Sequence, residues 1–312
     1  MKKVVLPLLF SLFFPSAALA YDISINQFVE HTALDEAVRG FKDQLALEGL
    51  TVVYKLHNAQ ANTSTVLQIA NQIMGEKPSL VLAVATPSAQ ATAQRIKDIP
   101  VLFTAVTDPA SAGLVASMEK PGGNVTGTTD MSPIALQVAL IREIHPEAKT
   151  LGVVYNAGEA NSVVQVDILK NAAAEYNFKL VEAVTVNTAG VFQAAKSLVG
   201  RADAVYLPTD NTVISSLDAV IKVCVENKLP LYAGEPESVR AGCVATMGLS
   251  YYELGKQTGA MAARILRDKA NPADMPVETQ KNSSLVVNLG AAEQLGVNIP
   301  KSVLDKASEI IR

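Results

Sequence analysis

Strand-forming and helix-forming segments alternate along this chain almost from end to end, and no other feature limits its fold as tightly. Ile23 to Phe28 is a short β-like run. Ala33 to Leu47 follows with apolar residues at helical spacing, and Thr32 is placed to cap it. Thr51 to Leu56 is extended, and a helix is expected from about Thr63 to Met74. Leu80 to Ala85 is a continuous apolar strand of the kind buried on both faces. Pro87 opens the next helix, and Val101 to Val106 is another strand. This βαβα order predicts a doubly wound parallel sheet.

The order breaks at Lys120-Pro121-Gly122-Gly123-Asn124 and then resumes. Val125 to Thr128 extends across the joint, and Ser132-Pro133 opens a second series. Strands are expected at Leu151–Tyr155, Lys179–Val186, Ala204–Leu207, Leu229–Ala233 and Val244–Met247. Helices over about 162–176, 189–199 and 212–225 separate the earlier ones. A helix at Tyr252–Leu266, a strand at Ser284–Asn288 and a terminal helix from Val303 close the chain. The fold class is α/β, with two doubly wound parallel-sheet lobes joined by a hinge. Ligands of open α/β sheets bind beyond the carboxyl ends of the strands, so facing lobes would enclose a solute in the cleft between them.

The N-terminus bears on location. Lys2 and Lys3 precede an apolar run from Val4 to Phe14, and Ala18-Leu19-Ala20 is a small-x-small pattern. Residues 1–20 therefore read as a signal peptide cleaved after Ala20, with the mature protein in the periplasm. The run is about half the roughly 20 residues of a membrane-spanning helix. No cysteine follows the cleavage site to carry a lipid anchor. About 290 residues remain, more than one core sustains. Without Lys2 and Lys3 the chain has 24 basic and 30 acidic residues and no basic run, which argues against nucleic acid and anionic membranes. ATP and NAD are scarce outside the cytoplasm, and no cofactor is expected.

The residues beyond the strand ends are the candidate ligand contacts. Thr86-Pro87-Ser88 offers two hydroxyls beside the free N–H groups of a helix start, suited to a carboxylate, although a plain capped helix has the same sequence. Asp210, with Asn211, either caps a helix or faces a ligand ammonium. Tyr155-Asn156 and Asn161-Ser162 form a third polar junction, and Glu235 a fourth. Phe28 would pack an apolar ligand side chain or belong to the core. Nothing points to catalysis: GxSxG, phosphate-loop and HExxH patterns are missing, and His31, His57 and His145 have no metal spacing. His145, before Pro146, reads as a helix C-terminal residue interacting with the dipole. Cys224 and Cys243 are read as buried thiols, since spacing alone establishes no disulfide.

Several stretches, in order, resemble the periplasmic substrate-binding proteins of ABC transporters, in the branch that includes tryptophan- and other aromatic-amino-acid-binding members. They are Glu30-His31-Thr32-Ala33-Leu34-Asp35, Ala85-Thr86-Pro87, Asp108-Pro109, Thr129-Asp130-Met131-Ser132-Pro133, Tyr155-Asn156 with Glu159-Ala160-Asn161-Ser162, Pro208-Thr209-Asp210-Asn211, and Tyr251-Tyr252-Glu253-Leu254-Gly255. Val287-Asn288-Leu289 and Leu295-Gly296-Val297 also fit. The resemblance implies lobe 1 at 21–125 plus about 248–280, and lobe 2 at 126–247 plus about 281–312. It implies Thr86 and Ser88 binding from lobe 1, and Asn161, Ser162 and Asp210 from lobe 2. It also implies a monomer that closes on a hydrophobic or aromatic α-amino acid and delivers it to an inner-membrane ABC permease. The sequence leaves open whether Asp210 or Glu235 takes the ammonium. A sugar-binding or sensor module, and a secreted racemase or hydrolase, are the alternatives. The absence of tryptophan weighs against sugar stacking. The cysteines do not follow strand ends, where racemase bases should sit.

Overall fold

The computed structural model describes residues 20–312, so the signal-peptide expectation lies outside it except for Ala20. The first half runs β1 (Tyr21–Gln27), α1 (Thr32–Leu47), β2 (Val52–Asn58), α2 (Thr63–Glu76), β3 (Leu80–Val84), α3 (Thr86–Arg95), β4 (Val101–Thr104) and β5 (Val125–Thr129). The second half runs α4 (Ile134–Ile144), β6 (Thr150–Asn156), α5 (Ala160–Glu175), β7 (Lys179–Thr185), α6 (Val191–Lys196), β8 (Ala204–Leu207), α7 (Asn211–Ile214), α8 (Leu217–Glu226), β9 (Leu231–Ala233), α9 (Pro236–Ala241) and β10 (Ala245–Gly248). Then come α10 (Tyr251–Leu266), β11 (Glu278–Thr279), β12 (Ser284–Asn288), α11 (Leu289–Leu295), α12 (Lys301–Leu304) and β13 (Glu309–Ile311).

One sheet has the order β11-β5-β4-β3-β1-β2, and every pairing in it is parallel. Its strands β3, β4 and β5 are buried at every residue; β3 and most of β4 are apolar runs of the kind covered on both faces, whereas β5 buries three threonines. Edge strand β2 alternates half-buried and exposed residues over its first half. A second parallel sheet has the order β7-β6-β8-β9, and the Val244 N–H bonds to the Leu231 carbonyl to lead it toward a third set, β10-β12-β13. Two separate apolar cores result. Leu254, Met261, Ala262, Leu266, Met275 and Val277 belong to the first core although they follow the second in sequence.

The chain therefore passes between the sheets three times, at residues 130–133, 249–250 and 280–283. The passages are tied together: Tyr251 donates its hydroxyl to Asp130, and the Gln280 amide donates to the Ser250 carbonyl at 2.6 Å. Helix α10 packs on α1 at glycine contact. A Cβ at Gly255 would lie 1.9 Å from the Ala37 carbonyl oxygen, and one at Gly40 would lie 2.0 Å from that of Tyr252.

Several sequence expectations are corrected locally. His31, not Thr32, holds the N-cap position of α1, with extended backbone. The helix expected over 212–225 is two, because the chain turns at Ser215-Ser216. The helix expected over 189–199 is a 3₁₀ turn followed by α6, which ends at Lys196. The terminal helix from Val303 is the short α12, and the chain ends as strand β13 beside β12. His145 does close α4, but burial holds its pKa below the usual histidine range and Nε2 lies 2.7 Å from the Tyr232 hydroxyl, so a buried hydrogen bond replaces the cationic dipole contact. Cys224 and Cys243 are free buried thiols. Among the described residues no helix is long and apolar enough to cross a membrane.

Candidate functional site

The carboxyl ends of both parallel sheets turn toward each other, and α3 meets α5 while α1 meets α9. On the first-lobe side, β3 ends in Ala85 at φ 76°, ψ 157°, a conformation that costs a side-chain-bearing residue energy. Ala105, just after β4, is also left-handed at φ 56°. Strain at two adjacent strand ends marks this edge as shaped for something other than stability. Ala85 swings the chain into α3, whose Thr86 and Ser88 hydroxyls are buried without any hydrogen-bond partner. Both ring nitrogens of His31 are likewise buried and unpartnered, and burial pushes its pKa down to about 4, the Asn211 side chain opposing. Phe28 is buried just past β1 and lines a groove of about 760 Å³ together with Pro87, Gln90, Asn156, Gly158 and Ala160.

The second-lobe side is built around two buried carboxylates. Asp210 caps α7, its Oδ1 accepting the Val213 N–H at 2.8 Å. Its Oδ2 accepts the Asn156 N–H and the Ser162 hydroxyl, each at 2.6 Å. Burial, with Glu159 beside it, pushes its pKa up to about 7. Glu159 accepts the Asn211 amide at 2.6 Å and the Thr212 N–H and hydroxyl at 2.9 and 2.7 Å. These two side chains clamp the β6–α5 and β8–α7 junctions into one surface. Asn161 donates to the Thr209 carbonyl at 3.0 Å, while its Oδ1 is buried without a partner. Glu235 precedes α9; its Oε1 accepts the Ser238 hydroxyl, and its Oε2 is buried and unpartnered. Burial pushes its pKa up to about 8, with a smaller rise from Glu237.

Between the lobes lies a cavity of about 10 Å³, lined by His31, Ala105, Asp130, Thr209, Asn211 and Glu235 among others. An open cleft of about 420 Å³ shares His31, Ala33, Ile214 and Glu235 with it. The structure thus gathers Thr86, Ser88, Asn161, Ser162, Asp210, Asn211 and Glu235 along facing strand ends, with Phe28 at the border. Tyr155 stands apart from this group: its hydroxyl donates to Glu182 on β7 at 2.7 Å. His31, Asp130 and Glu159 lie beside these residues and were not among the expected contacts. Each directly follows or nearly follows a strand end, the same signal that marked Asp210. Among the described residues no group of three or more His, Cys, Asp or Glu is placed to hold a metal ion.

A fold of two lobes, with buried partnerless polar atoms at the strand ends of each, is the architecture of a solute trap. Residues 22–311 match the family of ABC transporter substrate binding proteins. The chain belongs to this family. A tyrosine-binding protein of Clostridioides difficile is 42% identical over 271 residues, 86% of this chain and 78% of that one. The solved structure of an ABC domain in complex with L-Trp from Streptococcus pneumonia superimposes with a TM-score of 0.90 at 34% identity, covering 94% of this chain and all of that one. A ligand-free, open structure of a substrate binding protein with adhesive properties from Clostridium difficile is 41% identical, covering 94% and 99%, but its TM-score is only 0.69. This member of the family therefore has its lobes arranged as in the L-Trp complex. The family is one of substrate-binding proteins, and the relatives named here bind small molecules.

Proposed function

We propose that the protein captures an aromatic α-amino acid (tyrosine, tryptophan or phenylalanine) in the periplasm and presents it to an inner-membrane ABC permease. The observation that supports this most directly is the set of buried, partnerless polar atoms at the strand ends of both lobes: Thr86 Oγ1 and Ser88 Oγ from one, Asn161 Oδ1 and Glu235 Oε2 from the other. Leaving such atoms unpaired is costly, so they are explained best by a polar ligand head that pairs them. Hydroxyls at the start of α3 suit a carboxylate, and a carboxylate oxygen suits an ammonium. Phe28 and Pro87 offer an apolar border for a ring. The tyrosine-binding relative and the L-Trp complex favour the same class of ligand. Signal-peptide cleavage after Ala20 and permease delivery are part of this reading.

The test is a thermal-shift screen on protein unfolded and refolded to strip carried-over ligand, against the twenty amino acids and common sugars. A ligand of the folded state alone raises the melting temperature by mass action. A shift confined to Tyr, Trp or Phe is expected. Shifts with sugars alone would overturn the reading.

A further inference from the structure

We propose that Glu235, and not Asp210, is the acceptor for the ligand's ammonium group. This rests on the amino-acid reading above and names the residue that reads the amino group.

The two carboxylates differ in what they have left to offer. Asp210 accepts three hydrogen bonds from its own lobe, on both oxygens, and those bonds hold two strand-end junctions together. Turning it toward a ligand would break the surface that carries Asn161 and Ser162. Glu235 has one oxygen anchored by Ser238, which fixes the side chain. The other oxygen is fully enclosed and lacks a partner in a side chain only 2% exposed, in a residue lining the interlobe cavity. An anchored carboxylate with one free buried oxygen is a preorganised acceptor. The cavity also adjoins the proposed carboxylate contacts: the Thr209 carbonyl on its wall holds the Asn161 amide, and Ala105 follows Thr104, whose carbonyl binds the N–H of Ala85 just before Thr86.

The surroundings favour the same assignment. The titratable groups around Glu235 are His31 ahead of α1, Asp130 in the first passage, Tyr206 on β8, Glu237 on α9, Cys243 before β10 and Tyr251 on α10. None of these supplies a positive charge at neutral pH, since burial keeps His31 neutral. A ligand ammonium is the cation that this enclosed carboxyl lacks.

Isothermal titration calorimetry with L-tyrosine and with 3-(4-hydroxyphenyl)propionate, which lacks the amino group, tests the assignment. Glu235→Gln keeps the size of the side chain, removes its charge and should fold normally. It should weaken L-tyrosine about 100-fold and leave the propionate unchanged. Tyrosine binding that is equally tight in Glu235→Gln, or an equal loss for both compounds, overturns the proposal. So does failure of wild type to bind any α-amino acid. If another amino acid binds with the same dependence on Glu235, the proposal stands and only the aromatic preference falls.

Discussion

A hydroxyl that bonds nothing and a carboxylate that bonds three groups should respond in opposite ways to truncation. Ser88→Ala removes a buried oxygen without a partner, so stability should stay within about 0.5 kcal/mol while ligand affinity falls about tenfold. Asp210→Ala removes a helix cap and opens two junctions, and should cost about 3 kcal/mol in denaturant unfolding. If Ser88→Ala destabilises and Asp210→Ala does not, the assignment of roles is wrong. The sequence placed Thr86, Ser88, Asn161, Asp210 and Glu235 beyond strand ends, and each lies there in the fold, buried. It did not reveal their division of labour, because that depends on which donors the folded chain brings within reach. Glu159 shows the limit: it looks like a loop glutamate until Asn211 and Thr212, some fifty residues away, are seen to donate to it.

At the scale of elements, the α1–α10 pair is the joint most sensitive to a single methyl group. Gly255→Ala would drive a Cβ to 1.9 Å from the Ala37 carbonyl, and backbone on the receiving side has no room to yield. The variant should lose about 3 kcal/mol, seen calorimetrically as a fall of about 9 °C in Tm, with ligand affinity little changed if it folds. Alternating strand and helix signals were legible because parallel strands such as β3 are uniformly apolar and their helices are not. The missed features are short or tertiary in origin. The break between α7 and α8 lies at two serines that carry no Gly or Pro signal. Strand β13 exists only because β12 offers it an edge.

For the whole molecule, ligand capture at Glu235 requires the lobes to part, because that side chain is buried between them. Small-angle scattering should show the radius of gyration falling when ligand is added to stripped protein; an unchanged radius would rule out closure. Stability should also carry the mark of Glu235. Its folded pKa, about 8, lies above its ordinary 4.5, so its favourable contribution is complete below pH 4.5 and is lost as pH rises to 8. Glu235→Gln should therefore gain about 3 kcal/mol on wild type between pH 5 and pH 8, read as a widening gap in Tm. The triple passage between the sheets has a consequence for how the chain is made. Residues 251–279 complete the first core, so a growing polypeptide carries an unfinished N-terminal half until nearly all of it has been synthesised. The two halves mature together rather than in turn, and any chain cut short before residue 279 should yield neither a stable first half nor a usable fragment of the whole.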